Sequence, residues 1–301
     1  MESLKNLDLK RLIGLLLGTL GLFLPYLVEI PGLSEAGHVA LGIFFLAAVF
    51  WMLEPVPIYA TSVLVILLQV LFLSKEGLIF TEQTNSYHPD SYTAFIGTLA
   101  SPIIILFLGG FVLADAAVKY DLDRNLTRIL LRPFGSRPGY ILLGLMTVTA
   151  LLSAFMSNTA TTAMMMTVIL PIIGRIEPGD PMRTGLALSI PFAANIGGIA
   201  TPIGTPPNAV VIGTLSNQGI DIPFGEWMIL AVPLVVFVLI FAWQLLLFLY
   251  KPKLGKIEMD MSGTFKKTRP ALLLYAVFGI TVLLWVTESL HGIKSAIIAL
   301  F

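Results

Sequence analysis

Apolar residues run along this chain in long stretches that polar or charged segments separate. Seven of them are uninterrupted: Leu12–Val28, His38–Leu53, Ile58–Leu73, Pro102–Val118, Leu186–Ile203, Trp227–Tyr250 and Ala271–Val286. Their lengths approach the about 20 residues that cross a bilayer as a helix. An eighth stretch, 140–174, is interrupted by Ser157-Asn158-Thr159. The pattern predicts an all-α polytopic membrane protein.

Composition agrees with a multi-pass integral membrane protein. Hydrophobic residues make up 56% of the 301 residues, charged residues 12%, and mean hydropathy is +0.90. Soluble domains carry about 25% charged residues. The absence of cysteine excludes disulfides, thiolate metal sites and cysteine catalysis. We expect no enzymatic activity, no cofactor and no nucleic-acid partner, and the lipid bilayer is the environment the chain requires.

The Lys and Arg residues predict the topology. With the N-terminus inside the cell, sixteen of the eighteen basic residues face the cytoplasm, as the positive-inside rule expects. The exceptions are Lys75 and Lys294. The assignment holds only if 140–174 enters and leaves the membrane on one side. A cytoplasmic N-terminus follows, and we expect the membrane to be the inner membrane of a bacterium.

The interrupted stretch has arms too short to cross the membrane. Tyr140–Phe155 and Ala160–Gly174 hold 16 and 15 residues, which reach about 22–24 Å as helices. The hydrocarbon core is about 30 Å thick. The sequence therefore predicts a re-entrant hairpin whose tip, Ser157-Asn158-Thr159, stops within the membrane.

A second polar break, Gly204-Thr205-Pro206-Pro207-Asn208, follows the fifth apolar stretch. Thr205 suits a helix N-cap, and proline suits the first helical turn. At each break, free carbonyls at one helix end can face a cation such as Na⁺, and N–H groups at the next helix start can face an anion. At the second break, we expect the anion to lie beside Asn208. Paired breaks at membrane depth are typical of transport sites.

The segment Leu122–Leu131 predicts a short amphipathic helix at the membrane surface, with Asp123, Arg124 and Arg128 on its polar face. The predicted organisation is, in order, scaffold helices and a fourth span (1–118), a cytoplasmic interfacial helix (119–139), the re-entrant hairpin (140–176), a broken helix of a transport domain (183–215), a sixth span (226–250), a cytoplasmic linker (251–270) and an incomplete second repeat (271–301).

Two long motifs resemble a known family. LLSAFMSNTATTAMM (Leu151–Met165) and IGGIATPIGTPPNAV (Ile196–Val210) closely resemble the paired signatures of the divalent anion:sodium symporter family. LFLGGFVLADA (Leu106–Ala116) and EWMILAVPL (Glu226–Leu234) agree with it. The resemblance implies an inverted-repeat, elevator-type transporter that works as a homodimer. It also implies sodium-coupled symport of a C4-dicarboxylate, citrate or sulfate.

Carried over by motif, the resemblance implies two sets of site residues. The sodium ligands would be Ser153, Ser157, Asn158 and Gly204, and the substrate residues would be Asn158, Thr159 and Thr205. The family pattern has two copies of each motif, whereas this sequence has one. We therefore expect the chain to be truncated and to hold half of a transport site.

Three other functions remain open. A sodium-independent anion exchanger of the same fold would use the same motifs. A non-transporting structural membrane subunit would tolerate alanine at both breaks. A membrane hydrolase with Ser153 or Ser157 as nucleophile is disfavoured, because neither motif contains a His or Lys to act as base.

Overall fold

The structure is a computed structural model that describes residues 9–28, 30–78, 88–257 and 267–301, without the side chains of 123 and 124. It is 75% helical, and the described residues contain no strand. The predicted all-α class is confirmed. Some residues used in the predictions lie outside the described residues. They are Lys5 and Lys266, which were used to predict the topology, and the side chains of Asp123 and Arg124, which were used to predict the interfacial helix. Residues 258–266 of the predicted linker also lie outside them.

The chain forms two compact units, Met1–Ser101 and Pro102–Phe301. The helices of the first unit are α1 (Leu9–Phe23), α2 (Glu35–Leu53), α3 (Ile58–Leu73) and α4 (Tyr92–Gly97). Ser34 caps α2 by accepting the Gly37 N–H at 3.1 Å. Glu54 ends α2 in the left-handed conformation, with φ of 49°. Ala36, Ile43 and Leu73 form the buried centre of this unit.

The second unit contains ten helices among its described residues. They are α5 (Pro102–Lys119), α6 (Leu122–Leu131), α7 (Pro138–Ser153), α8 (Asn158–Gly174), α9 (Met182–Gly198), α10 (Pro206–Asn217), α11 (Phe224–Leu249), α12 (Arg269–Val286), α13 (Glu288–His291) and α14 (Ser295–Ile298). Helix α9 packs against α7, α8 and α11. Its fully buried Leu186 and Ile190 share one core with Ile141, Leu145 and Met165. This core holds α7, α8 and α9 together, and a smaller cluster of Ala154, Ala200 and Val235 lies at the two breaks.

Five described segments are long and apolar enough to cross a membrane: Leu9–Tyr26, Glu35–Leu53, Tyr92–Lys119, Phe224–Leu249 and Arg269–Val286. The hairpin arms α7 and α8 are shorter, with 16 and 17 residues, and extend about 24–26 Å. Both arms are therefore shorter than the hydrocarbon core, which is about 30 Å thick. Their placement in the bilayer remains a prediction.

Most predicted boundaries agree with the structure to within a few residues, but the fifth stretch does not. The apolar run predicted Leu186–Ile203, whereas α9 is Met182–Gly198. The run continues past Gly198, but the backbone there turns because side chains of α10 and α11 bind its carbonyls, as described below. The short helices α4 and α13 were not predicted. Helix α6 has the predicted bounds.

Candidate functional site

The site is formed where α7 ends, α8 begins and the break between α9 and α10 approaches them. Ser157 has an extended backbone and is the N-cap of α8, where its hydroxyl accepts the Ala160 N–H at 3.2 Å. Helix α8 therefore begins at Asn158, two residues earlier than the predicted Ala160. This places the Asn158 side chain at the first position of the helix, directed at α7 and α9.

The Asn158 side-chain amide lies at the centre of the site. Its Oδ1 accepts from Ser153 Oγ at 2.8 Å, and its Nδ2 donates to Asn195 Oδ1 at 3.1 Å. Turning the amide over would place its nitrogen 2.8 Å from Ser153 Oγ and 3.3 Å from the carbonyl oxygens of Gly204 and Ala194. One amide atom of Asn158 therefore faces three oxygens, from α7, α9 and the second break.

Such a cluster of oxygens suits a hard cation. Neighbouring oxygen ligands bound at about 2.4 Å lie roughly 3.4 Å apart around an octahedral ion. The carbonyl oxygens of Gly204 and Ala194 lie 3.3 Å from the Asn158 amide atom, near this spacing, whereas Ser153 Oγ is closer, at 2.8 Å. The hydrogen bonds of this structure favour the amide nitrogen at that position. A bound cation would turn the amide oxygen inward instead, and Asn158, Ser153, Gly204 and Ala194 would then offer four neutral oxygens. The described residues hold no group of three His, Cys, Asp or Glu that could bind a metal ion. The donor set therefore fits a monovalent ion such as Na⁺ better than a transition metal.

Two glycines allow the elements of the site to approach each other. A Cβ on Gly198 would collide with the Asn158 amide oxygen, and a Cβ on Gly204 would collide with the Gly198 carbonyl oxygen. Neither glycine has a positive φ. Gly204 is therefore needed for close packing, and its backbone conformation does not require glycine.

Side chains from outside the segment hold residues 199–205 in place. Asn208 Nδ2 donates to the carbonyl oxygens of Gly198 at 2.9 Å and Thr201 at 2.7 Å. Trp227 Nε1, from α11, donates to the Ile199 carbonyl at 3.0 Å. These bonds occupy the last carbonyl of α9 and two carbonyls of the segment that follows it. The Gly204 carbonyl is the one this segment contributes to the oxygen cluster.

Asn208 does not have the predicted role beside an anion. The residue is 6% exposed, and its amide nitrogen is bound to backbone carbonyls of the α9 terminus. The side chain is a local clamp between α10 and α9. It was misassigned because its position next to a helix start suggested ligand binding, whereas its partners lie up to ten residues earlier in the chain.

The start of α10 also lacks the free amides expected there. Pro206 and Pro207 have no N–H, and the Asn208 N–H donates to the Thr205 carbonyl at 3.2 Å. At the start of α8, by contrast, Asn158 and Thr159 both carry N–H groups that no intrahelical carbonyl can accept. At the second break, the features left that could attract an anion are the helix dipole of α10 and the Thr205 hydroxyl.

The structure brings together three of the predicted sodium residues, Ser153, Asn158 and Gly204, at one position. The Ser157 hydroxyl is occupied by the N-cap bond. Thr159 is exposed, and Thr205 is an N-cap without a side-chain capping bond. Among the described residues, neither hydroxyl forms a hydrogen bond, so both are free to meet a ligand at the two helix starts.

Sequence reasoning missed the contributions of Ala194, Asn195, Thr201 and Trp227. Ala194 contributes a backbone atom, which no side-chain pattern can reveal. Thr201 lies within the quoted second motif as a polar residue in an apolar segment, and that isolation was a usable signal. Trp227 is 28 residues from its acceptor, beyond any local pattern.

Comparison with known proteins identifies the family of the chain. A model of the citrate transporter family matches residues 48–301. The chain belongs to this family. The resemblance inferred from the two motifs is thereby confirmed, and members of the citrate transporter family are transporters, not enzymes. Together with the candidate spans, membership shows a multi-pass integral membrane protein.

Individual relatives carry more specific names. The sodium-dependent dicarboxylate transporter SdcS of Staphylococcus saprophyticus is 35% identical over 251 residues, covering 79% of this chain and 46% of the relative. SdcS of Staphylococcus aureus is 33% identical over 300 residues, covering 92% and 54%. The sodium-dependent high-affinity dicarboxylate transporter 3 of Caenorhabditis elegans is 35% identical over 266 residues, covering 79% and 44%. The chain thus spans about half the length of these relatives.

Proposed function

We propose that this chain serves sodium-coupled symport of a divalent anion, with a C4-dicarboxylate as the main substrate. The observation that carries the proposal is the oxygen cluster around Asn158, which unites the hairpin tip with the break after α9. Relatives named as sodium-dependent dicarboxylate transporters support both the ion and the substrate class. The family model is described as a citrate transporter, which makes citrate the second candidate. Sulfate has only the motif resemblance behind it.

Sodium enters first in the proposed mechanism. Bound among the Ser153, Asn158, Gly204 and Ala194 oxygens, it holds the amide oxygen of Asn158 inward and joins the hairpin to the broken helix. The first-turn N–H groups of α8 and the Thr159 and Thr205 hydroxyls then receive a substrate carboxylate. Neither motif contains Lys or Arg, so bound sodium and the helix dipoles must offset the charge of the anion.

Several larger features belong to the same proposal. The transport domain, with α7–α10 at its centre, moves as an elevator against a scaffold that forms a homodimer, and the hairpin is re-entrant. The N-terminus is cytoplasmic, because that orientation places most Lys and Arg inside. A bacterial inner (plasma) membrane is proposed from the match to the staphylococcal proteins.

Uptake in proteoliposomes tests the proposal. The protein, expressed from its complete gene, is reconstituted and given radiolabelled succinate with a gradient of sodium or of choline. We expect a sodium gradient to drive accumulation of the label. Unlabelled succinate should inhibit this uptake most strongly, citrate less and sulfate least. Equal uptake in both gradients would contradict coupling.

A counterflow assay separates symport from exchange. Vesicles loaded with unlabelled succinate take up label in the absence of sodium only if the protein is a sodium-independent exchanger. We expect no such counterflow, because the substrate site is assembled by the bound cation. A structural subunit without transport would show uptake in neither assay.

A further inference from the structure

Thr201 is a single side chain that links the two breaks. It is fully buried between α9 and α10, with 0% exposure. Its hydroxyl donates to the carbonyl oxygen of Ala154, in the turn that follows α7, and accepts the Gly204 N–H at 3.1 Å. The first of these contacts joins residues 47 positions apart in the sequence.

Both partners of Thr201 adjoin groups of the oxygen cluster. Ala154 directly follows Ser153, whose hydroxyl binds Asn158. Gly204 supplies its N–H to Thr201, and its carbonyl oxygen faces the Asn158 amide. The Thr201 hydroxyl therefore fixes the separation between two of the oxygens that surround the cation position, without being part of the cluster itself.

Folding of the segment alone does not require this hydroxyl. Asn208 and Trp227 already bind the carbonyls of Gly198, Ile199 and Thr201. Among side-chain hydrogen bonds of the described residues, the Thr201–Ala154 bond is the one that joins the turn 154–157 to the segment 199–205. Its loss would remove the hydrogen bond that sets their spacing, while the apolar cluster that Ala154 shares with Ala200 would keep the two breaks packed.

We infer that Thr201 is a positioning residue that sets sodium affinity by holding the second break against the hairpin tip. The inference rests on the proposed function. Because the hydroxyl acts on the geometry of the cation position, its removal should raise the sodium concentration required and leave the maximal rate at saturating sodium largely unchanged.

The test is a sodium titration of succinate uptake by proteoliposomes containing wild type, Thr201→Val, Thr201→Ser or Thr149→Val. Thr149 is the matched control, because it is equally buried and its hydroxyl binds only Leu145 O of its own helix. For Thr201→Val we expect the half-maximal sodium concentration to rise about tenfold, equivalent to about 1.4 kcal/mol. Thr201→Ser should stay within about threefold of wild type because it keeps both hydrogen bonds.

Two outcomes would overturn the inference: a wild-type sodium midpoint in Thr201→Val, or equal midpoints for the Val and Ser variants. A purely structural role would instead lower the yield and melting temperature of Thr201→Val without moving the midpoint. If Thr201→Val does not fold, Thr201→Ala replaces it, with the sodium-dependent rise in melting temperature as the measurement. Wild-type uptake that ignores sodium would refute the proposed function itself, whatever the Thr201 variants do.

Discussion

Both breaks are polar interruptions between apolar helices, but they differ in what their helix starts can offer. The first presents N–H groups of Asn158 and Thr159 and an amide side chain that faces other oxygens. The second begins with Pro206 and Pro207, which have no N–H, and its Asn208 amide is buried in carbonyl contacts. A polar break in a membrane helix therefore does not by itself predict an anion site. In the proposed function, the first break binds the ligands, and the second mainly supplies one carbonyl oxygen and the Thr205 hydroxyl.

The largest expected effect comes from Asn158→Ala. The change removes the amide oxygen from the centre of the cluster, so sodium-driven succinate uptake should fall to background while expression is maintained. The control is Asn217→Ala, an exposed amide at the end of α10, which should transport normally. Transport by Asn158→Ala at the rate of the control would remove the first break from the site.

Gly198→Ala should have the next largest effect. The added methyl collides with the Asn158 amide. Overpacking typically costs about 1–3 kcal/mol, which predicts a rise of about five- to 150-fold in the half-maximal sodium concentration, and about thirtyfold at the centre of that range. Gly174→Ala is the matched control, because a Cβ there meets open space. Sodium titrations of uptake by both variants provide the measurement, and equal midpoints would show that the two breaks are not in contact.

Asn208→Ala tests the clamp at the second break. Removing the amide takes the side-chain donor from the buried Gly198 carbonyl and one of two donors from the Thr201 carbonyl. We expect a cost of about 1–3 kcal/mol in unfolding free energy. The melting temperature should fall by a similar amount in sodium and in choline. A loss confined to succinate binding, with no loss of stability, would instead make Asn208 a substrate residue.

The smallest expected effect is a gain. Pro207→Ala adds an N–H to the first turn of α10 and should strengthen anion binding, since one added hydrogen bond contributes about 0.5–1.5 kcal/mol. The KM for succinate at saturating sodium should fall by a few fold, with an unchanged sodium midpoint. An unchanged KM would show that substrate does not approach this helix start.

Local pattern predicted the helices well because each apolar run needs to be helical in lipid. Ile58–Leu73 has the predicted bounds, and the ends of α5 and α12 lie within two residues of prediction. The predicted end of α9 was wrong. Residues 199–203 are apolar except for Thr201, but their backbone carbonyls are bound by the side chains of Asn208 and Trp227 and do not continue the helix. The hydropathy of a segment indicates whether it is buried, but it does not indicate which hydrogen-bond donor each of its backbone carbonyls will have.

The candidate site was predictable only in part for the same reason. The motif named Ser153, Asn158 and Gly204, and the structure places them around one position. The Ala194 carbonyl and the Thr201 link could not be derived, because they depend on α9 crossing the hairpin tip at close range. That crossing is a tertiary contact, permitted by Gly198 and visible only once the chain is folded.

The most direct test of the sodium position is thermal unfolding of the purified protein titrated with sodium chloride against choline chloride at constant ionic strength. An ion bound only by the folded state adds about 2.7 kcal/mol at one hundred times its Kd. We expect the wild-type melting temperature to rise with sodium and that of Asn158→Ala to stay flat. An equal rise in both proteins, or no rise in the wild type, would contradict a sodium site at Asn158.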